Sequence, residues 1–327
     1  MSHPTSLFGI EAASHYLPPR RPVADWVRQQ GLPGEVLTQL HENGMMHFHQ
    51  AGEASVETLA RGAMQALLEE HPIDPLSVDL LVFVHSLPTS TPPAPASLPG
   101  RLTAAFGMSR ARSFALSGQN CASLLAALRL MRSLFHADPA LDRVLLVSAD
   151  RACGEHYRNL GAFSFESDGA SALLVSRHHP YNRAIAFAGH VDGRHHAGFR
   201  RPQARAHEYR ALYGLVAHRL VSRTAQASGL RLGDFRHLLP INVDRHVFER
   251  VARSLHMPAE WVFTTNVAHH GHVMCSDVVI NLTDLLRHSS LDRASNLLLF
   301  MSGNNGSFAT MALGNCHSSQ RGRSPGI

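Results

Sequence analysis

Six short runs, each almost wholly apolar, punctuate the chain: VDLLVFVHS at 78–86, RVLLVSAD at 143–150, SALLVSR at 171–177, AIAFAGHV at 184–191, HLLPINV at 237–243 and NLLLFMSG at 296–303. A strand with one wet face alternates polar and apolar residues, so runs without alternation predict a sheet covered on both faces. Between them lie helical patterns, among them SVETLARGAMQALLEEH, CASLLAALRLMRSLFH, EYRALYGLVAHRLVSRTAQASG, VFERVARSLH and CSDVVINLTDLLRHS. Strands that alternate with helices define an α/β layered protein. The stretch LPTSTPPAPASLPGRL carries five prolines and reads as a long loop.

The order of these pieces repeats. VDLLVFVHS, a helix after SGQNCAS, RVLLVSAD and DGASALLV are echoed by HLLPINVD, a helix after HHGHVMCS, NLLLFMSG and NGSFATMAL. The duplication predicts two similar halves, residues 1–177 and 178–327, packed about a pseudo-twofold axis. Two helix starts would then face each other, one bearing Cys121 and the other preceded by His272.

Composition excludes several classes. A chain of 327 residues that is 44% hydrophobic and 17% charged is globular and not disordered. The four cysteines are spread without CxxC pairing, against a zinc ribbon or disulfide framework and in keeping with a reducing cytoplasm. The N-terminal MSHPTSLFGIEAASHYLPPRR shows no secretory pattern and no uncharged 18-residue apolar run follows, so a cytoplasmic protein without a membrane anchor is expected. The net charge of +5 attracts acidic partners, but scattered arginines without interleaved aromatics argue against nucleic acid. The 24 histidines cluster at HFH, HH and HHGH without metal-ligand spacing; no metal is expected, and most are read as surface residues.

Cys121 closes the small-residue turn LSGQNCAS ahead of an apolar helix. Free cysteines are often simply buried, but a helix N-terminus also favours a thiolate, and hence a nucleophile. Packing and nucleophile both fit the turn taken alone.

Six segments in order decide the matter: FVHSLPTSTPPAPASLPGRL, SGQNCASLLAAL, FESDGASALLV, LPINVDRHVFERVARSLHMP, NVAHHGHVMCSD and SGNNGSFATMAL. Together they resemble the thiolase superfamily, and within it the β-ketoacyl-[acyl carrier protein] synthase III branch. The resemblance implies a thiolase-like fold, layered αβαβα from two halves, a homodimer, and Cys121 as the residue that takes an acyl group from a thioester. No permanently bound cofactor is implied; the substrate is a thioester of acyl-carrier-protein phosphopantetheine or of coenzyme A.

The resemblance also exposes departures. In the family a P-H-Q-A-N histidine and a G-N-T-S asparagine stabilise the enolate formed when malonyl thioester loses carbon dioxide. Here those stretches read Pro240-Ile241-Asn242-Val243-Asp244 and Gly271-His272-Val273-Met274. Isoleucine donates no hydrogen bond, and losing one oxyanion donor costs about 10²–10³ in rate. The expected activity is therefore non-decarboxylative acyl transfer to a small-molecule or carrier-bound acceptor, in specialised metabolism, with His272 as base or oxyanion donor. Asp244 would orient His272, or else cap the helix that follows it.

The turn Gly303–Gly306 resembles the family's glycine-rich turn, so the backbone of Cys121 and Asn304 would form the oxyanion hole, with Asn304 tolerating a left-handed conformation. The alternative is an ordinary tight turn. Cys275 reads as helix packing. Relatives that use coenzyme A clamp its adenine with an early tryptophan and arginine, absent from GEVLTQLHENGMMHF although Trp26 and Arg28 lie just upstream. That favours a carrier-protein donor. The basic stretch GRHHAGFRRPQARAHEYR at 193–210 would touch an acidic carrier or stand as a solvated loop. Two other readings remain: a decarboxylative synthase with His272 as rearranged partner, and a non-catalytic scaffold subunit.

Overall fold

The structure is a computed structural model that describes residues 8–93, 95–288, 291 and 295–316. The first seven residues of the N-terminal stretch read for a secretory pattern, and the last eleven of the proposed second half, lie outside it. Among the described residues eleven strands form: β1 (Gly9–Tyr16), β2 (Arg20–Pro22), β3 (His47–His49), β4 (Leu80–Val84), β5 (Arg112–Leu116), β6 (Arg143–Asp150), β7 (Gly169–Ser176), β8 (Arg183–Val191), β9 (His237–Pro240), β10 (Ser295–Gly303) and β11 (Ser307–Cys316). β2 and β3 make a small separate ladder, and the other nine make one sheet in the order β5-β4-β6-β7-β1-β8-β11-β10-β9.

The pairing pattern occurs twice. β1 runs antiparallel to β7, β7 antiparallel to β6, and β6 parallel to β4. In the same order β8 runs antiparallel to β11, β11 antiparallel to β10, and β10 parallel to β9. The edge partner of β4 is the parallel strand β5, and the corresponding place beside β9 holds a single parallel bridge from Leu238 to Val262. The two sets join at Gly9 and Arg183, where the chains approach so closely that a Cβ on Gly9 would lie 2.4 Å from the Tyr181 carbonyl oxygen. Only glycine fits there.

Helices cover the sheet in layers. Helix Val56–Glu70, capped by Ser55, packs on β1, β6 and β7. Helix Gln203–Ser228 packs on β8 and β11. Between the two strand sets lie helices Ser123–Ala137 and Asp277–His288, the first touching β4 and β11, the second β1, β7, β9 and β10. This is the five-layered arrangement that the resemblance implies. The middle helices bury their apolar residues against the sheet: Leu124, Leu125, Leu128, Met131 and Phe135 of one, and Val278, Val279, Leu282 and Leu285 of the other, are buried, while Arg129, Arg132 and His136 of the first stand on its exposed face. Each such side chain contributes roughly 1.5–3 kcal/mol of transfer free energy.

The six apolar runs all became strands of the main sheet, but β1, β5 and β11 escaped that reading. β1 (GIEAASHY) lies at the centre of the sheet, yet Ile10 is its one β-branched residue and the Glu, Ala, Ser and His that follow make no apolar run. β5 is an edge strand, exposed along most of its length.

Candidate active site

The turn before Cys121 is built from backbone conformations that few residues accept. Gly118 has φ +102° and Asn120 φ +46°, and Asn is the ordinary residue that best tolerates the left-handed region. The chain then makes a 3₁₀ turn, Asn120–Ala122, and enters helix Ser123–Ala137. The corresponding turn in the other half has the same construction: Met274 at φ +48° opens the 3₁₀ turn Met274–Ser276 before helix Asp277–His288. A buried methionine at positive φ is held against its own preference, at a cost of order 1–3 kcal/mol.

These two turns meet. The Cys275 thiol donates to the carbonyl oxygen of Asn120 at 3.4 Å and contacts the Ser86 hydroxyl at 3.2 Å, so Cys275 is packing beneath the site, with its thiol pushed well up by burial and by Asp150. Cys121 is nearly buried, and its Sγ lies 3.2 Å from His272 Nε2.

His272 is positioned from both sides. Its backbone pairs with the entry to β7: His272 N–H donates to the Phe165 carbonyl at 2.9 Å and Ser167 N–H to the His272 carbonyl at 2.8 Å. Gly271 makes this approach possible, with φ +64° and room for a Cβ only 3.0 Å from the Phe165 oxygen. The imidazole Nδ1 lies 2.6 Å from Asp277 Oδ2. Burial alone works to lower the His272 pKa, but the Asp277 carboxylate and Cys121 outweigh it and hold the value well above the ordinary histidine range.

Asp277 is in turn fully engaged. Oδ2 also accepts from Asn242 N–H at 2.7 Å, and Oδ1 accepts from Val273 N–H at 2.6 Å and Asn242 Nδ2 at 3.4 Å. Asn242 Oδ1 accepts from Asn281 Nδ2, which also reaches the Pro240 carbonyl. The result is a buried Cys121-His272-Asp277 chain backed by two asparagines, with Nδ1 committed to the carboxylate and Nε2 aimed at sulfur.

The expectation for Asp244 requires correction. Its side chain accepts from His246 N–H at 3.0 Å as the cap of helix Arg245–Ser254, and the residue that orients His272 is Asp277. Asp277 stood in the motif NVAHHGHVMCSD all along, five residues past the histidine. Asn304 lines the same cavity as Cys121, but the positive φ of its turn falls on Gly306 and not on Asn304. A Cβ on neighbouring Gly303 would sit 2.3 Å from the Gln119 carbonyl, so this turn is pressed against the cysteine turn.

The cavity above the sulfur has a volume of about 350 Å³ and is lined by Cys121, His272, Ile241, Met274 and Asn304, with Arg210 and His156 also in its wall. Ile241 is buried and brings only hydrocarbon, with no side-chain donor of its own. Glu166 also lines it; burial raises its pKa to about 7, His272 opposing and Asp150 adding to the shift. Trp26 does not reach it: its ring stacks edge-on to Phe165 at 4.9 Å and its Nε1 donates to the Glu155 carbonyl, while Arg28 pairs with Asp25 on the surface. Nor are all the histidines at the surface, since His49, His85, His195 and His272 are buried. Among the described residues no group of three His, Cys, Asp or Glu side chains is placed to hold a metal ion, and no helix is long and apolar enough to cross a membrane.

Comparison with known proteins shows the family. Residues 27–198 match the family described as FAE1/Type III polyketide synthase-like protein, which is more than half of the chain, and residues 225–314 match 3-Oxoacyl-[acyl-carrier-protein (ACP)] synthase III C terminal. The protein belongs to the thiolase-superfamily condensing enzymes, in the branch of the β-ketoacyl-[acyl carrier protein] synthase III and type III polyketide synthase-like proteins. The β-ketoacyl-[acyl-carrier-protein] synthase III of Rhodospirillum centenum is 24% identical over 271 residues, covering 77% of this chain and 81% of the relative. That of Pseudomonas aeruginosa strain LESB58 is 26% identical over 275 residues, covering 78% and 81%. Among solved structures, 3-oxoacyl-(acyl carrier protein) synthase III from Pseudomonas aeruginosa PAO1 superposes with a TM-score of 0.81 at 22% identity, over 95% of this chain and 98% of that one. The acyltransferase ChlB3 gives the same TM-score and coverage at 20% identity.

Proposed function

We propose that this protein is an acyltransferase of the synthase III type that loads an acyl group from a thioester onto Cys121 and delivers it, without decarboxylation, to an oxygen, nitrogen or preformed carbon nucleophile in specialised metabolism. The observation that carries the reading is the Cys121-His272-Asp277 chain at a cavity that Ile241 also lines, so that residue 241 brings no hydrogen-bond donor to it. With Nδ1–H donated to Asp277, His272 Nε2 takes the thiol proton as Sγ attacks the thioester carbonyl. The tetrahedral oxyanion is held by the backbone at Cys121 and Asn304. Collapse breaks the bond to the donor sulfur, which leaves with the proton from His272. In the second half-reaction His272 takes the acceptor's proton as the acceptor attacks the acyl carbon; the bond from that carbon to Sγ then breaks, and Cys121 leaves as the thiol with the proton returned by His272. Residues 1–177 thus supply the thiol and residues 178–327 the base and the glycine-rich turn.

The structural likeness to an acyltransferase supports the non-decarboxylative reading. The relatives named β-ketoacyl-[acyl-carrier-protein] synthase III support a second reading, decarboxylative condensation with His272 as rearranged partner. Displacement of Trp26 and Arg28 from the cavity supports a carrier-protein donor over coenzyme A. Among the described residues no strand pairs with the outer edge of β5, and this edge, with Phe114 exposed, supports a homodimer. Four free cysteines support a reducing, cytoplasmic setting.

Carboxyl-labelled malonyl carrier protein separates the two enzymatic readings. The proposal expects a malonyl adduct on Cys121 without release of labelled carbon dioxide above the Cys121→Ala background. Stoichiometric carbon dioxide release with condensation product would establish the decarboxylative reading instead.

A further inference from the structure

The basic stretch at 193–210 is not simply a solvated loop, because one of its arginines turns inward. Arg201 is buried, and its guanidinium lies 4.2 Å from the centre of the Tyr209 ring. Nε donates to the Gly198 carbonyl at 2.7 Å, and Nη2 donates to both the carbonyl and the side-chain oxygen of Asn304. Nη1 is buried with no hydrogen-bond partner among the described residues, and the Ser164 hydroxyl is in the same state. Both residues line the cavity that contains Cys121.

An unpartnered buried donor is unfavourable, and more so on a cation. The groups that Arg201 touches are neutral: two carbonyls, an amide oxygen and a phenol ring. Its electrostatic neighbours are Tyr209 and the cation Arg210, with no carboxylate to balance it among the described residues. Glu166, in the same cavity, feels His272 and Arg158 instead. A ligand that completes the site must therefore bring both a hydrogen-bond acceptor and a negative charge, and a planar guanidinium matches a carboxylate. Arg201 is fixed to Asn304, and the turn of Asn304 presses on Gln119 and Asn120 just before Cys121, so the anion lies a short span from the reacting sulfur.

We propose that Arg201, assisted by Ser164, is a carboxylate receptor, and that the acyl group carried on Cys121 is a short dicarboxylic one, linked through one carboxyl as the thioester and bound through the other. The inference rests on the acyl-Cys121 reading above. In the loading step Sγ attacks the thioester carbon, the bond to the donor sulfur breaks, the donor thiol departs with the proton relayed by His272, and the distal carboxylate stays ionised and unreacted.

The test uses pantetheine thioesters, the portion shared by coenzyme A and carrier-bound donors. Succinyl and glutaryl pantetheine are compared with their neutral isosteres, the succinamyl and glutaramyl thioesters, by thiol release and intact-protein mass. Wild-type enzyme is expected to favour each carboxylate over its amide by about 10- to 100-fold in kcat/KM, the range of one charge-assisted hydrogen bond. In Arg201→Gln that ratio falls to near one, and in Arg201→Lys, which keeps the charge without the planar fork, it falls part of the way. The wild-type ratio stands as a test even if a variant does not fold. A wild-type ratio at or below one, or one unchanged in Arg201→Gln, overturns the receptor while amide labelling of Cys121 upholds acyl transfer. Equal slowing of both donors in Arg201→Gln also overturns it, making Arg201 a support of the Asn304 turn. Failure of every donor to label Cys121 overturns the acyl-transfer reading and this inference together.

Discussion

Replacing Asp277 by asparagine changes one atom in size and reverses the chemistry of the buried chain. The carboxylate accepts from four donors, His272 Nδ1 and Asn242 N–H on one oxygen, Val273 N–H and Asn242 Nδ2 on the other. An amide has one oxygen, so whichever way it turns its NH₂ faces two donors. If the oxygen stays toward Val273, the NH₂ meets His272 Nδ1, which must then accept, and the ring proton moves to Nε2, toward sulfur. The imidazole can no longer take the thiol proton. If the oxygen turns toward His272, the NH₂ is forced against Val273 N–H and the Asn242 amide. Holding the productive tautomer against such a clash costs about 4–5 kcal/mol, the size of a broken buried polar pair, which corresponds to about 10³–10⁴ in rate. Carboxylate-to-amide exchange in a serine protease triad, a known case, lowers kcat about 10⁴. The raised pKa of His272 should also fall, because burial then acts with less opposition. Single-turnover acylation of Asp277→Asn, followed by thiol release across pH, reads both effects. A loading rate within tenfold of wild type would refute the reasoning.

Two further predictions use acidic residues nearby. Asp244→Ala should lower stability by about 1 kcal/mol, the value of an N-cap, with acylation within twofold of wild type; denaturant unfolding and loading rate check this. Burial raises Glu166 from 4.5 to about 7, so the folded protein binds this proton more tightly than the unfolded chain does. Stability contributed by the protonated carboxyl is present below pH 4.5 and declines as pH rises to about 7. Between pH 5 and 8 the unfolding free energy of Glu166→Gln should therefore rise by about 2–3 kcal/mol relative to wild type, and parallel profiles would contradict it.

The two central features of the site were legible for different reasons. Local chemistry, a small-residue turn running into an apolar helix, left Cys121 open between packing and nucleophile until the six ordered segments of the resemblance decided it, and His272 came from its place in one of those segments. Their contact was legible only through the repeat, which brings two helix starts together. Asp277 was hidden because its side chain reaches back from the first turn of its helix, a relation that helical periodicity does not encode, whereas Asp244 drew the role by its place just after Ile241, and its capping pattern, the other reading given for it, is what the structure shows. Arg201 was hidden for a similar reason: a run of charges reads as solvated, and nothing local tells which arginine folds inward beneath Tyr209. The apolar runs marked six strands because burial on both faces leaves no polar residues, but β1 was missed because small residues in a crowded centre carry no such signal.

The claim that Cys121 carries the acyl group is tested most directly by intact-protein mass spectrometry after incubation with acyl-carrier and acyl-pantetheine thioesters. The account predicts a mass increase of one acyl group, located on the peptide containing Cys121 and lost in Cys121→Ala. An unmodified wild-type mass with every donor, or an adduct that persists in Cys121→Ala, would contradict it.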